Sequence, residues 1–175
     1  DKDSADKALG VGDRRKVRLL IYARAAATAR LELKEKQGIY SHKTGVTLTR
    51  SEAEALIAGE RDFLLARSDA AARRAGNLLV QEARRPVVLV DYERTAWTMP
   101  VERVRITLDE HVRAARSSAL FDGAVPMVGV HSGSAVILEV KYDHYLPGHI
   151  RRLLSAVQGQ NMSISKYAAA REFLY

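Results

Sequence analysis

The sequence predicts an α+β fold with flanking helices and antiparallel strands, which either form an open sheet or close into a β-barrel. Residues 30–36 and residues 136–143 both alternate between apolar and charged side chains, and both contain Leu-Glu-x-Lys. In a strand such alternation places the two kinds of side chain on opposite faces. Helical patterns separate the charged strands, and a helix must bury its own apolar stripe against another element.

The charged faces of these strands have two interpretations. In the first they face solvent, as in an open sheet with one wet face. In the second, helices cover the apolar faces, and the charged faces turn inward around the lumen of a closed barrel. A lumen rich in Lys and Arg is costly unless an anion fills it. Triphosphate or polyphosphate with a divalent metal suits such a lumen, because cations bind phosphoryl oxygens and a Glu binds the metal.

The predicted strands follow the chain in a regular order. Residues 101–109 alternate strictly, which places Arg103, Arg105, Thr107 and Asp109 on one face. In the last strand, Val136, Leu138, Val140 and Tyr142 are expected on the apolar face. Residues 23–29 are either a turn or a frayed helix. The predicted strands are 16–22, 30–37, 40–48, 87–94, 101–109 and 136–143.

Helices are predicted between and after these strands. Thr49 is a plausible N-cap with Glu52 three residues later, the pattern of a capping box. Residues 68–84 are rich in Ala and Arg, which predicts a second helix, broken near Gly76. The remaining predicted helices follow Pro147 and Ser163.

Length and composition limit the class of protein. With 175 residues the chain suits one domain, taken here as residues 1–175. It has 28 Lys and Arg against 21 Asp and Glu, a formal net charge of +7, which predicts nucleic acid, phosphate-rich ligands or an anionic membrane as partner. With only 3 Phe and 1 Trp, an aromatic stacking surface for single-stranded nucleic acid is poorly supported.

Other features bear on the compartment. The chain has no Cys, which excludes disulfides and thiolate metal sites and fits a cytoplasmic location. It contains neither a bilayer-spanning apolar run nor a signal-peptide pattern. It begins at Asp1, which suggests a fragment of a longer protein.

Six short motifs occur in a fixed order. They are Arg15-Lys16-Val17-Arg18, Leu31-Glu32-Leu33-Lys34-Glu35-Lys36, Asp91-Tyr92-Glu93-Arg94-Thr95-Ala96, Arg105-Ile106-Thr107-Leu108-Asp109, Leu138-Glu139-Val140-Lys141 and Ser165-Lys166-Tyr167. In this order they resemble the VTC domain, the polyphosphate-polymerase domain of the vacuolar transporter chaperone complex, and its bacterial relatives. That family belongs to the triphosphate tunnel metalloenzymes.

The resemblance implies a set of tunnel residues. The implied catalytic, phosphate-contacting cations are Arg18, Lys34, Arg94, Arg105, Lys141 and Lys166. The implied further substrate-binding residues are Lys16, Lys36, Lys43, Tyr92 and Ser165. Glu139 is implied as the residue that holds Mn²⁺ or Mg²⁺. Glu32 is either a second acid beside the metal or the counter-charge of Lys34. No metal-ligand spacing is found around His42, His131, His144 and His149.

The implied reaction transfers the γ-phosphate of a nucleoside triphosphate, such as ATP, to a growing polyphosphate chain. A terminal phosphate oxygen is already ionised near neutral pH, so the protein mainly positions and neutralises the two chains. The implied partners are nucleoside triphosphate and polyphosphate, and a membrane protein is a possible further partner. Nucleic acid is not expected as a partner. The alternatives are a non-catalytic domain that binds polyphosphate or inositol phosphate, a triphosphatase of the same fold, and a basic nucleic-acid-binding module.

Three features depart from the family pattern. The family usually has a second Arg two residues after Arg18, where this chain has Leu20. On strand 16–22 the side chain of Leu20 is expected to share a face with Lys16 and Arg18. Residues 6–10 look shorter than the family's segment, and the family's first strand is absent, so the barrel of this chain is expected to be incomplete.

Overall fold

The fold of this chain is given by a computed structural model that describes residues 14–130 and 135–175. The short segment at residues 6–10 and His131 lie outside the described residues. Two compact units make up the structure. The first consists of Asp1–Leu89 and Ser117–Val125, and the second of Val90–Arg116 and Pro126–Tyr175.

The first unit is a three-stranded antiparallel sheet covered by helices. The sheet order is β1-β2-β3, with both pairs antiparallel. Residues 23–29, for which a turn or a frayed helix was expected, form bends and turns up to the start of the second strand. The elements are β1 (Arg14–Leu20), β2 (Thr28–Gln37), β3 (Tyr40–Thr49), α1 (Arg50–Ala58), α2 (Asp62–Ala66) and α3 (Ala70–Gln81).

Alternation along β2 separates the core from the charged face. Leu31 and Leu33 are 2% exposed, and Leu31 packs with Leu48 of β3 and Leu64 of α2 on the helix-covered side. The residues between them, Glu32 and Lys34, therefore point to the other side of the sheet. In this unit the expectation that helices cover the apolar faces is confirmed.

The helix boundaries follow from capping and close packing. The side chain of Thr49 accepts a hydrogen bond from the Glu52 backbone N–H, and the Glu52 side chain accepts one from the Thr49 N–H, so the predicted capping box is present. The predicted break of the next helix near Gly76 is wrong, because α3 runs without interruption through that residue. A Cβ at Gly76 would lie 3.0 Å from both Leu64 Cβ and Leu65 Cδ2. The glycine thus allows α2 and α3 to approach closely.

The second unit has β5 at the centre of a four-stranded sheet. β5 pairs with β4, with the short β6 and with β7, and its pairings with β6 and β7 are antiparallel. Its elements are β4 (Leu89–Met99), a 3₁₀ turn (Val101–Arg103), β5 (Val104–Ala115), β6 (Val128–Gly129), β7 (Ile137–Lys141), α4 (Gly148–Ser155) and α5 (Lys166–Leu174).

The predicted strand 101–109 is wrong over its first three residues. Pro100 begins a 3₁₀ turn, and Glu102 and Arg103 have φ values of 55° and 45°. Left-handed residues cannot continue the pleat of a strand. Arg103 therefore does not join the row of Arg105, and its Nε lies 2.5 Å from Asp143 Oδ2 instead.

A further left-handed residue, His111 with φ 51°, lies inside β5. Thr107 and Asp109 are buried in the residues that lead up to it, whereas Val112 and Ala114 are buried after it. An extra residue in one strand shifts the alternation in this way at a β-bulge. Arg113 consequently pairs with Asp91 across 2.7 Å, on the opposite side of the sheet from Asp109.

The last strand is shorter than the predicted 136–143. It ends at Lys141, and the flanking Val136 and Tyr142, expected on the apolar face, are 49% and 47% exposed. Ile137, on the side of Glu139 and Lys141, is 8% exposed. Within the strand, Leu138 and Val140 are half-buried whereas Glu139 and Lys141 are exposed, so the expected division holds there and fails at the flanking Val136 and Tyr142.

The α+β class and the antiparallel pairing are confirmed. Within the described ranges, hydrogen-bonded strands form two sheets, and no strand pairing joins them into one closed barrel. A helix with the length and apolar character needed to cross a membrane is absent from residues 14–130 and 135–175.

Candidate functional site

The first unit presents a strongly basic face on the uncovered side of its sheet. The pairing register arranges its side chains in rows that cross the three strands. One row brings Lys16 of β1, Lys34 of β2 and Lys43 of β3 side by side. The other rows are Arg14–Lys36–Ser41, Arg18–Glu32–Gly45 and Leu20–Arg30–Thr47.

Glu32 is the buried acid at the centre of this face. It is 6% exposed, and its carboxylate lies 2.6 Å from Arg18 Nε and 2.5 Å from Lys43 Nζ. Burial is the largest influence on its pKa and raises it, but the hydrogen bonds and charges of Lys43 and Arg18 together hold the pKa below its usual range. Glu32 is thus the counter-charge of Arg18 and Lys43, whereas the two expected roles were a second acid beside the metal and the counter-charge of Lys34.

Lys34 is the central residue of the lysine row. Lys34 is exposed, and in the part of the chain that the structure describes no acidic side chain pairs with it. Like charges directly opposite one another on neighbouring strands destabilise a sheet. A polyanion across this row would remove that repulsion and add charge-assisted hydrogen bonds.

Leu20 lies on the same face, as its alternation with Lys16 and Arg18 predicts. Those three residues pair with Arg30, Lys34 and Glu32 of β2, so the expected strand register is confirmed. The position at which the family carries a second Arg is therefore on the charged side of the sheet. Arg30 stands directly across from it.

The second unit contains a matching buried acid, Asp109 on β5. Its side chain is fully buried, and Arg94 of β4 donates from Nε to Oδ1 over 2.5 Å and from Nη2 to Oδ2 over 2.7 Å. Lys166, the first residue of α5, also contacts Oδ2. Burial raises the pKa of Asp109, but the bonds from Arg94 and Lys166 outweigh burial and lower it overall. The hydrogen bond to Asp109 in turn raises the pKa of the Arg94 guanidinium.

Tyr92 joins the two cations that bind Asp109. The guanidinium carbon of Arg94 lies 5.1 Å from the centre of the Tyr92 ring, and Lys166 Nζ lies 4.9 Å from it. Both distances suit cation–π attraction. The resemblance implied a role for the Tyr92 hydroxyl, and the structure adds a role for its ring in orienting two cations.

Arg105, Glu139 and Lys141 lie on the same face of β5 and β7 as Asp109. Arg105 pairs in register with Lys141, so two cations are again directly opposite each other. Glu139 pairs in register with Thr107 and lies 3.2 Å from Lys141 Nζ. Within residues 14–130 and 135–175, no acidic side chain pairs with Arg105. The Oγ1 of Thr107 is buried and has no hydrogen-bond partner among the described residues.

Ser165 is the N-cap of α5. Its hydroxyl oxygen accepts the Ala168 backbone N–H over 3.3 Å, which fixes the start of the helix that carries Lys166. Ser165 therefore has a structural role besides the phosphate contact that the resemblance implies.

The side chains of the described residues fit a divalent metal only together with substrate oxygens. No group of three His, Asp or Glu side chains in the described part of the chain is arranged to hold a metal ion. Glu139, however, is 46% exposed on the charged face. Mg²⁺ commonly binds one or two carboxylates, several waters and substrate phosphates, so a single accessible carboxylate suits this cation.

The structure brings the predicted residues together as two sets, each on one face of its own unit. The first set is Lys16, Arg18, Lys34, Lys36 and Lys43. The second is Tyr92, Arg94, Arg105, Glu139, Lys141, Ser165 and Lys166.

Sequence reasoning gave no role to three residues of these faces: Arg14, Arg30 and Asp109. Arg30 was within reach, because it alternates with Glu32 and Lys34 along one strand. The alternation along β5 could not predict the burial of Asp109, because Arg105 lies on the same face of the strand and is exposed.

The two faces define an α+β protein whose antiparallel sheets each surround one buried carboxylate with cations. The chain belongs to the VTC family, because the model of the VTC domain matches residues 4–175. This membership relates the chain to polyphosphate. None of the curated proteins and none of the solved structures compared with the chain matches it.

Proposed function

We propose that this protein is a metal-dependent polyphosphate polymerase that transfers the γ-phosphate of a nucleoside triphosphate, such as ATP, to the end of a polyphosphate chain. The observation that carries the proposal is the row of Lys16, Lys34 and Lys43, which lie in register on the side of the sheet opposite the helices. Lys34 has no acidic partner among the described residues, and together with the neighbouring cations it offers a binding surface for a chain of negative charges. We further propose that the chain has the triphosphate-tunnel barrel fold and belongs to the bacterial type of the family.

The transfer needs little acid–base chemistry from the protein. An ionised oxygen of the terminal phosphate attacks the γ-phosphorus and forms a new P–O–P bridge. The bond from the γ-phosphorus to the β–γ bridging oxygen breaks, and the nucleoside diphosphate leaves with that electron pair. No proton has to be removed from the nucleophile, so positioning and charge neutralisation dominate.

The residues of the two faces suit these tasks. Arg18, Lys34 and Lys43 would hold phosphate oxygens of one chain, with Lys16 and Lys36 beside them. Arg94 and Lys166 arrive already oriented by Asp109 and the Tyr92 ring, which lowers the entropic cost of binding phosphate. Arg105 and Lys141 supply a further pair of cations in register.

Glu139 would hold Mn²⁺ or Mg²⁺ together with substrate oxygens. When bound, the cation neutralises charge on the phosphates and polarises the phosphorus centre. Lys141, whose Nζ lies 3.2 Å from Glu139 Oε1, orients this carboxylate until then.

A specific observation favours a second candidate, a non-catalytic domain that binds polyphosphate or inositol phosphate. Leu20 occupies the place of a family arginine on the charged face, and an apolar side chain there donates no hydrogen bond to phosphate. A protein can still bind polyphosphate after it has lost a hydrogen-bond donor that is required for turnover.

Product analysis separates these functions. The protein is incubated with ATP and Mn²⁺ or Mg²⁺, and products are resolved by gel electrophoresis and by assay of free phosphate. We expect long phosphate chains, and we expect Lys34→Met to lower their yield while Arg85→Met, which removes an exposed charge outside the strands, does not. Release of phosphate without chains would indicate a triphosphatase. No product, together with tight binding of tripolyphosphate, would indicate the binding domain, and loss of both would refute the proposal.

A further inference from the structure

We propose that Arg30 takes the place of the arginine missing at position 20 and binds substrate phosphate from the neighbouring strand. This inference rests on the proposed function and adds a further substrate-binding residue to its site. In this inference, the positive charge that is absent at position 20 is supplied from position 30.

The strand register brings the two positions together. Leu20 of β1 and Arg30 of β2 are Cα partners in an antiparallel pair. Side chains directly opposite one another point to the same side of a sheet, with Cβ atoms about 5 Å apart. The two positions are therefore neighbours on the charged face, and an arginine at either one adds a guanidinium to the same face.

The third strand leaves room for this guanidinium. A Cβ at Gly45 of β3 would lie 2.7 Å from Arg30 Nη2 and 2.9 Å from Arg30 Nε. Arg30 therefore extends across β3 over a residue without a side chain. Any other residue at position 45 would force the guanidinium to move.

Among the described residues, only long polar contacts hold the Arg30 guanidinium. Its Nη1 lies 3.4 Å from Thr47 Oγ1, and its Nε lies 4.0 Å from Glu32 Oε1. The side chain is 46% exposed. A guanidinium has five N–H donors, so most of them remain available for phosphate oxygens.

The surroundings offer space and positive charge. Arg30 borders an open pocket of ≈ 500 Å³, which Arg67 and Asp69 also line. Arg18 and Lys43 belong to the adjacent row of the same face. A polyphosphate chain that is bound by these two residues can therefore extend to Arg30.

The proposal is tested by calorimetric binding of tripolyphosphate at fixed ionic strength. We expect Arg30→Leu to weaken binding by about 10- to 100-fold, the effect of one charge-assisted contact. The double variant Leu20→Arg with Arg30→Leu should regain most of the affinity, because it returns the guanidinium to β1. Arg85→Leu, which removes the same charge from an exposed position outside the strands, should bind as the wild type does.

Gly45→Ala supplies an independent test that leaves Arg30 in place. Its Cβ displaces only the end of a flexible side chain, so the fold should be retained while tripolyphosphate binding weakens. In the Arg30→Leu background the same change should have no further effect.

The outcomes separate the two proposals. If the wild type binds tripolyphosphate and Arg30→Leu binds it equally well, Arg30 has no such role, while the proposed function stands. If Gly45→Ala weakens binding equally with and without Arg30, the role of Arg30 is also refuted. If the wild type does not bind tripolyphosphate, the proposed function and the role of Arg30 are both wrong.

Discussion

Arg94 grips both carboxylate oxygens of the fully buried Asp109, with Nε 2.5 Å from Oδ1 and Nη2 2.7 Å from Oδ2. Such two-point contacts fix direction as well as distance. In the first unit, Glu32 is likewise shared by two cations, with Arg18 at Oε2 and Lys43 at Oε1. An internal acid thus orders selected cations on each basic face.

Asp109→Asn should destabilise the protein strongly. The change preserves shape but leaves Arg94 and Lys166 without their counter-charge beside a buried amide. Loss of one partner of a buried ion pair costs about 3–5 kcal/mol, and the partial exposure of both cations points to the lower end. The free energy of unfolding in urea measures the effect.

Asp143→Asn is the matched control for this variant. Its partner Arg103 is 83% exposed, so the loss should stay within about 1 kcal/mol. Equal losses for the two variants would show that Asp109 is no more important than a surface acid.

Acid should destabilise the fold through Glu32 and Asp109. Both pKa values are lowered in the folded state, so their stabilisation is complete above the unfolded pKa and is lost as pH falls through the folded pKa. The free energy of unfolding should be level from pH 7 to about pH 5 and should fall below about pH 4. Glu32→Gln should be less stable at pH 7 and show a shallower acid decline.

Glu60→Gln serves as the control for the pH series. It removes an exposed carboxylate from the same unit, and its profile should run parallel to that of the wild type. An unchanged acid decline in Glu32→Gln would contradict the role of Glu32.

Glu139→Gln should abolish metal-dependent turnover while tripolyphosphate binding stays equal or becomes slightly tighter, since a negative charge leaves a basic face. Turnover is followed by chain length on gels, and binding is followed by calorimetry without metal. Glu93→Gln removes a 70% exposed carboxylate elsewhere in the second unit and should keep turnover. Normal turnover in a folded Glu139→Gln protein would remove Glu139 from the metal site.

Tripolyphosphate should bind far more tightly than monophosphate. Each added phosphate reaches further cations of the same face, and each charge-assisted bond contributes about 1.5–3 kcal/mol. Calorimetry at two salt concentrations should show the difference, with a larger salt effect for the longer ligand. Equal affinity for the two ligands would contradict the polymer-binding face.

Gly76→Ala should lower the free energy of unfolding, although alanine favours helices by about 1 kcal/mol over glycine. The new Cβ would press on Leu64 Cβ, an atom fixed to the backbone of α2, and overpacking costs about 1–3 kcal/mol. Asn77→Ala, at an exposed site of the same helix, should instead raise stability slightly. A stabilised Gly76→Ala protein would show that the helices separate readily.

The basic face of the first unit was predictable because a period of two needs no tertiary information. Lys16, Arg18 and Leu20 fall on one side of β1 in the structure as in the sequence pattern. Sequence periodicity does not reveal which side chains on neighbouring strands are opposite. The pairing of Leu20 with Arg30 depends on the turn between β1 and β2, which sets the register.

Other features depend on the packing of distant segments. Gly76 reads as a helix breaker when only local propensity is considered, yet contact with Leu64 of another helix accounts for it. Asp109 is buried because Arg94 and Lys166 approach it from other elements. Arg103 left its predicted row because the backbone turns after Pro100.

His111 gives β5 two successive phases of alternation. From Arg105 to Asp109 the odd-numbered side chains lie on one side of the sheet. From Val112 onward the even-numbered side chains lie on that same side. One residue more or fewer between these two points would exchange the sides of everything that follows, and Arg113 would be turned away from Asp91. If a relative has an insertion or deletion at this point, the two halves of the strand must therefore be aligned separately, each in its own register.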